Sequence, residues 1–150
     1  MLTNTKPKMD LRSDAGLASA LRVSLARLNR RLRRQAAAHS LTATQFATLA
    51  AVHRHSGITP GELAELEKVQ PPSMTRVIAA LEERGLVSRT PHPTDRRQVT
   101  VSVTEAAEKL LKEERRRKEA WLAQRLKELS PEERSILRQA APILEKLSQI

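Results

Sequence analysis

Residues 81–96 read LEERGLVSRTPHPTDR, a string that has to end a helix and open a hairpin within a few positions. Gly85 can take the left-handed backbone conformation that closes a helix, and Leu86 supplies the apolar contact that usually accompanies such an ending. From Val87 the chain is expected to run extended. Pro91 and Pro93 forbid a helix across the next loop, and Val99, Val101 and Val103 alternate with Gln98, Thr100 and Ser102 as in a strand with one buried face. The tip of the hairpin carries Asp95, Arg96 and Arg97.

Upstream, TPGELAELEKVQPPSMTRVIAALEERG supplies two helices. Thr59 suits an N-cap, Pro60 suits the first helical position, and Glu62 completes a capping box, so a short helix should run to about Glu67. A tight turn over Glu67 to Gln70 leads to a second helix opened by Pro71 and Pro72, where backbone N–H groups have no helical partner in any case. Met74, Val77, Ile78 and Leu81 fall at i, i+3, i+4, i+7 and form one apolar stripe. The opposite side carries Pro72, Arg76 and Ala79, flanked by Ser73 and Thr75. Small groups around one arginine suit close approach to a major groove, with Arg76 able to reach guanine O6 and N7. A solvated helix face would read the same way in isolation. Two helices followed by a basic-tipped hairpin describe a winged helix-turn-helix, a mainly α fold with a small β-hairpin.

Charge points the same way. The chain has 27 Lys and Arg against 17 Asp and Glu, a formal charge of +10, which suits a polyanionic partner. Charge alone would equally allow RNA or an anionic membrane surface. No apolar run is long enough to span a bilayer and no secretory signal opens the chain, so a cytoplasmic protein is expected. The absence of cysteine excludes disulfides, thiol redox sensing and cysteine-based zinc sites.

The remaining sequence is helical. Leu17, Leu21, Leu25, Leu28 and Leu32 advance by fours and threes along a first long helix. Another starts at Thr42, with Gln45 closing a capping box and Leu41 meeting Phe46 as a hydrophobic staple. Thr104 can cap a long helix to about Lys127, whose KEERRRKE run at Lys112 to Glu119 fits a solvated face with i, i+4 pairs. Ser130, Pro131 and Glu133 announce a last helix, with a stripe of Ile136, Leu137, Ala140, Leu144 and Leu147 and a kink expected at Pro142. These stripes at the chain ends need cover. Either they meet in an intrachain three-helix cluster or, as we expect, they pair with a second copy through Leu17, Leu21, Ile136, Leu137, Leu144 and Leu147. The expected organisation is a flexible tail at 1–10, a helical dimerisation region at 11–40 and 105–150, and a winged helix-turn-helix at 41–104.

Together, QPPSMTR at Gln70 to Arg76, LEERGLV at Leu81 to Val87, the Asp-Arg-Arg tip followed by QVTVSVT, and two long helices after it resemble the MarR family of bacterial transcriptional regulators, from about Leu11 to Ile150. The resemblance implies an obligate homodimer bound to double-stranded DNA at a pseudo-palindromic operator, usually as a repressor. It implies base reading by Pro72, Ser73 and Arg76 beside Gln70, phosphate support from Thr75, and minor-groove insertion of Arg97 held by Asp95. A carboxylate two residues before an arginine can fix the guanidinium through paired hydrogen bonds, although Asp95 would also serve as an ordinary turn residue. Arg89 and Arg96 are expected at phosphates. The resemblance also implies a small organic ligand that displaces DNA, of unknown identity here. Phe46 and Trp121 are the sole aromatics, which leaves little to stack a flat ligand.

No catalytic residues, cofactor or metal site are expected. There is no cysteine nucleophile, glycine-rich phosphate loop or motif-placed histidine beside a serine, and among His39, His53 and His55 the last two, two residues apart, point to different faces. The competing function is a non-sequence-specific architectural DNA-binding protein or an RNA-associated winged helix, which would carry the same charge. Competition binding at physiological salt separates these readings.

Overall fold

The computed structural model describes residues 10–35 and 40–150. The elements run α1 (Asp14–Arg33), α2 (Ala43–Arg54), α3 (Pro60–Leu66), α4 (Pro71–Glu83), β1 (Val87–Pro91), β2 (Val99–Val103), α5 (Glu105–Leu126) and α6 (Pro131–Ser148). They gather into two compact units, one of Ala37–Arg117 and one of the chain on either side of it. The expected tail, apart from Asp10, and His39 lie outside the described residues. No helix among the described residues is long and apolar enough to cross a membrane.

Helix starts follow local chemistry. Thr42 with Gln45, Thr59 with Glu62 and Ser130 with Glu133 each form a complete capping box, in which the hydroxyl accepts the third residue's N–H and that residue's side chain accepts the cap's own N–H. Ser13 caps α1 by accepting from the Gly16 N–H at 3.0 Å. Thr104 accepts from the Ala107 N–H at 3.3 Å at the start of α5. Pro142 lies inside α6, which runs on through it to Ser148.

The central unit holds the buried core. Leu49 and Val52 of α2, Leu63 of α3, and Met74, Ile78 and Leu81 of α4 are closed off from solvent, with Leu41, Phe46 and Val77 packed at the margin. The unit continues past the hairpin into α5 because Ala107 and Leu111 join the same cluster. Farther along α5, Glu113 accepts hydrogen bonds from Arg116 at 2.8 and 3.0 Å and from Arg117 at 3.0 Å. Those bonds hold its carboxyl at about 2. The charge run thus forms i, i+3 and i, i+4 pairs on an exposed face, but it is not solvated throughout, because Glu114 turns inward and is buried.

The unit formed by the chain ends has a different character. Neither α1 nor α6 buries a single residue in the isolated chain. Leu17, Leu25 and Leu28 on α1 are exposed, as are Ile136, Leu137 and Leu147 on α6, while Leu21 and Leu144 are half-buried. Within this unit the Arg31 and Arg125 guanidinium groups each stand over the Trp121 ring, at 5.2 and 5.5 Å from its centroid.

The hairpin pairs Val87 with Val103 through Pro91 with Val99, antiparallel. One sequence expectation changes here. Val101 is fully buried and Val103 half-buried, but Val99 is 36% exposed and Thr100 is buried in its place. Val99 pairs with Pro91 at the distal end of the ladder, beyond the core. Thr100 can be buried because its hydroxyl meets that of Thr90 at 2.7 Å, so the polar group keeps a partner. A further strand-like contact escaped the sequence reading: the Val101 N–H donates to the Ile58 carbonyl at 2.8 Å, tying the hairpin to the segment that leads into α3.

α4 ends as the sequence requires. Gly85 has φ +70°, its N–H donates to the Glu82 carbonyl, and the Leu86 N–H reaches back to the Leu81 carbonyl, both at 2.9 Å. This is a Schellman ending. Nothing lies within 4 Å of where a Cβ on Gly85 would stand, so a side chain there meets backbone strain alone. Gly85→Ala is therefore expected to cost about 1 kcal/mol in urea unfolding at fixed protein concentration, and Gly85→Asn less, because asparagine tolerates the left-handed region. An alanine variant as stable as the parent would contradict this assignment.

Candidate nucleic-acid interface

The turn between α3 and α4 repeats the ending of α4 without a glycine. Lys68 takes φ +53°, the Lys68 N–H donates to the Glu65 carbonyl at 3.2 Å, and the Val69 N–H to the Ala64 carbonyl at 3.0 Å. Val69 packs at the core margin, while Lys68 is exposed. The sequence indicates a tight turn here, but a lysine in the left-handed conformation carries no signal of its own.

This turn sets the attitude of α4. Gln70 is its N-cap and makes no side-chain capping bond, so its exposed amide group is not used by the helix. With Met74, Ile78 and Leu81 buried on one side, Pro72, Ser73, Thr75, Arg76 and Ala79 are all exposed. The Thr75 hydroxyl donates to the Pro71 carbonyl at 3.0 Å, which spends its proton inside the helix. This surface carries no carboxylate before Glu82. Glu82 itself lies 3.5 Å from the Arg89 Nε, so the strand that follows supplies a cation against the helix's own acid. That leaves Arg89 partly committed, which the sequence reading did not anticipate.

Seven residues, His92 to Gln98, form the hairpin loop. The His92 N–H donates to the Gln98 carbonyl and the Gln98 N–H to the Asp95 carbonyl, both at 3.1 Å. The expectation that Asp95 grips the Arg97 guanidinium through paired hydrogen bonds is not what is observed. Asp95 Oδ1 accepts the Arg97 backbone N–H at 3.0 Å, while the Arg97 Nε stands 3.8 Å away, outside hydrogen-bond reach. The short side chain reaches the amide two residues on more readily than a guanidinium on a flexible stem. The Arg97 side chain is left 96% exposed, and Arg96 is exposed beside it. Sequence reading also passed over His92, whose Nδ1 accepts from the backbone of Thr94 and Asp95 at 3.2 and 3.1 Å. A histidine between two prolines gave no motif to follow.

Electrostatically, the α4 face and the loop tip bring Arg76, Arg96 and Arg97 to the surface of one compact unit with Lys68 on the preceding turn. At the far end of α4, Arg84 donates to the Ser40 carbonyl at 3.3 Å and to its hydroxyl at 3.2 Å, fastening the helix to the residue just before α2. His53 and His55 are exposed at the end of α2. A helix, a tight turn, a second helix with one bare face and a basic-tipped wing constitute a winged helix-turn-helix.

The sequence model of the MarR family matches residues 41–99. An HTH-type transcriptional regulator of Mycobacterium tuberculosis is 47% identical over 134 residues, covering 89% of this chain and 94% of that one. The chain belongs to the MarR family. The HTH-type transcriptional repressor MdtR of Bacillus subtilis is 32% identical over 109 residues, 73% of this chain and 68% of its own. Among solved structures, a MarR family protein from Bacillus stearothermophilus superposes with a TM-score of 0.76 at 25% identity, covering 95% of this chain and 99% of that one. Wild-type MarR from Escherichia coli does so with a TM-score of 0.68 at 26% identity, over 87% and 96%. This MarR-family protein is a winged-helix DNA-binding transcriptional regulator.

For its wing, the bond from Asp95 to the Arg97 amide sets an expectation. Asparagine keeps an acceptor oxygen in the same place, so Asp95→Asn should bind duplex DNA nearly as well as the parent. Asp95→Ala should lose about 1 kcal/mol, the net worth of one such hydrogen bond. Equal losses in a fluorescence-anisotropy titration would show that the carboxylate charge, not the turn, is what matters.

Proposed function

We propose that this protein is a homodimeric repressor that recognises a pseudo-palindromic operator in the bacterial cytoplasm. The observation that carries this reading is the bare face of α4, where small exposed groups surround Arg76 on a helix whose other side is locked into the core. In a major groove, Pro72, Ser73 and Ala79 permit close approach, Gln70 and Arg76 meet base edges, and Thr75 supports the backbone contact once its hydroxyl turns from Pro71. Arg96 and Arg89 meet phosphates. Arg97, exposed at the wing tip, enters the adjacent minor groove, whose narrow A·T-rich form attracts a cation. The architectural alternative would use the same charge without the shaped α4 face.

Dimerisation follows from the leucine and isoleucine side chains that α1 and α6 leave in water. Leu17, Leu21, Ile136, Leu137, Leu144 and Leu147 form the contact with a second copy, and a two-fold dimer presents two α4 helices to one duplex. Repression is supported by relatives that are named repressors, MdtR and NicR of Pseudomonas putida. Since this chain has no cysteine, release from DNA by thiol oxidation does not apply, and a reversible small organic ligand is the expected signal.

Arg76→Ala should cost roughly 1–3 kcal/mol on the operator and relax preference at one symmetric pair of positions. An equal loss on every sequence would make Arg76 a phosphate contact instead. Sedimentation equilibrium should give twice the chain mass of 16.8 kDa, and Ile136→Glu should disrupt that assembly; a folded monomer at micromolar concentration would refute the dimer.

A further inference from the structure

We propose that His92 is the positioning residue of the wing, holding the tip in its DNA-binding shape only while its Nδ1 is unprotonated. The proposal rests on the reading that Arg97 enters the minor groove. The loop has few ways to satisfy its own backbone, since Pro93 brings no N–H. Of the five amides that follow it, two converge on one atom: the Thr94 and Asp95 N–H groups donate to His92 Nδ1 at 3.2 and 3.1 Å. The Thr94 hydroxyl lies 3.4 Å from the same nitrogen. Asp95, fixed through its N–H, then accepts the Arg97 N–H on its carboxylate at 3.0 Å and the Gln98 N–H on its carbonyl at 3.1 Å. Arg97 therefore receives its position from His92 by way of Asp95.

Only one form of imidazole can do this. Nδ1 must offer a lone pair, so the ring proton sits on Nε2. Nδ1 lies as many bonds from Cα as the Oδ1 of asparagine, and the histidine here takes the part of an asparagine side chain in an Asx-turn. Protonation would turn the acceptor into a third donor facing two others, and both bonds would be lost. Acid strong enough to protonate the imidazole would therefore release both amides.

Charged groups of both signs surround the loop. On the loop itself the charged neighbours of His92 are Asp95, Arg96 and Arg97. The cleft formed by Thr59, Pro60 and Gly61 with Arg97, Gln98 and Val99 brings no carboxylate to the loop, and the nearby Glu62 of α3 is held by the Thr59 N–H at 3.0 Å. From β1, Arg89 is paired with Glu82. Bound phosphate would favour the cation, so two effects of acid on DNA binding have opposite sign and can be told apart.

The test uses the full-length protein and the tightest duplex recovered by binding selection from a random-sequence pool, titrated at pH 8 and pH 5.5. His92→Ala should weaken binding about thirtyfold at pH 8, the worth of two such hydrogen bonds. His92→Asn should restore binding and keep it at pH 5.5, where the parent weakens relative to that variant. Comparing parent with His92→Asn removes the contributions of His53, His55 and the carboxylates. Amide spectra should show the Thr94 and Asp95 N–H resonances moving with pH in the parent and not in His92→Asn. Arg97→Ala serves as the reference. If it weakens binding while His92→Ala does not, this proposal alone is overturned; if it binds like the parent, the wing reading falls and takes this proposal with it. His92→Asn as weak as His92→Ala at pH 8 would also overturn it, as would a parent that binds more tightly than His92→Asn in acid, the mark of a simple phosphate contact.

Discussion

The end of α4, the base of the wing and the start of α5 meet at two adjacent residues, Gly85 and Leu86. Their N–H groups close α4 by returning to Glu82 and Leu81, and their carbonyls are taken by Thr104, whose hydroxyl donates to Gly85 at 2.6 Å and whose N–H donates to Leu86 at 3.1 Å. Thr104 in turn caps α5. One left-handed glycine thus joins the end of the recognition helix, the base of the wing and the start of the next long helix, with Leu86 buried beneath the junction. An L-residue with a side chain resists that conformation, which is why a single position carries so much of the geometry.

From this junction the two halves of the reader are held independently. α4 is fixed by burial along Met74, Ile78 and Leu81, so its opposite face is free to be small and polar. The wing is anchored at its base, where Val101 is buried and bonded to Ile58, and becomes polar and exposed towards the tip. Arg89 against Glu82 bridges the two halves at the surface. An anchored base with an exposed cationic tip suits a narrow groove.

Much of this was legible before any coordinates. The capping boxes at Thr42, Thr59 and Ser130, the stripe on α4 and the stop at Gly85 are all local: the residues that decide them lie within seven positions of one another. What escaped was decided at longer range or by a residue with no habitual role. The Ile58 bridge to Val101 joins positions 43 apart and leaves no periodicity. Thr100 is buried because Thr90 answers its hydroxyl, a match that alternation of apolar residues cannot reveal. The pairing of Arg89 with Glu82 arises only when the strand folds back beside the helix. At the tip, Asp95 accepts from the Arg97 backbone N–H, since turn geometry outcompetes a flexible side chain.

The central claim is that a two-fold pair of shaped α4 faces reads sequence rather than merely neutralising phosphate. Repeated binding selection from random duplex DNA at physiological salt tests it most directly. The account predicts enrichment of an inverted repeat whose half-site centres lie one helical turn, about 34 Å, apart, with A·T-rich flanks beneath the wings. Retention of all duplexes with equal affinity, falling with salt but showing no repeat, would contradict it and establish a charge-driven architectural protein.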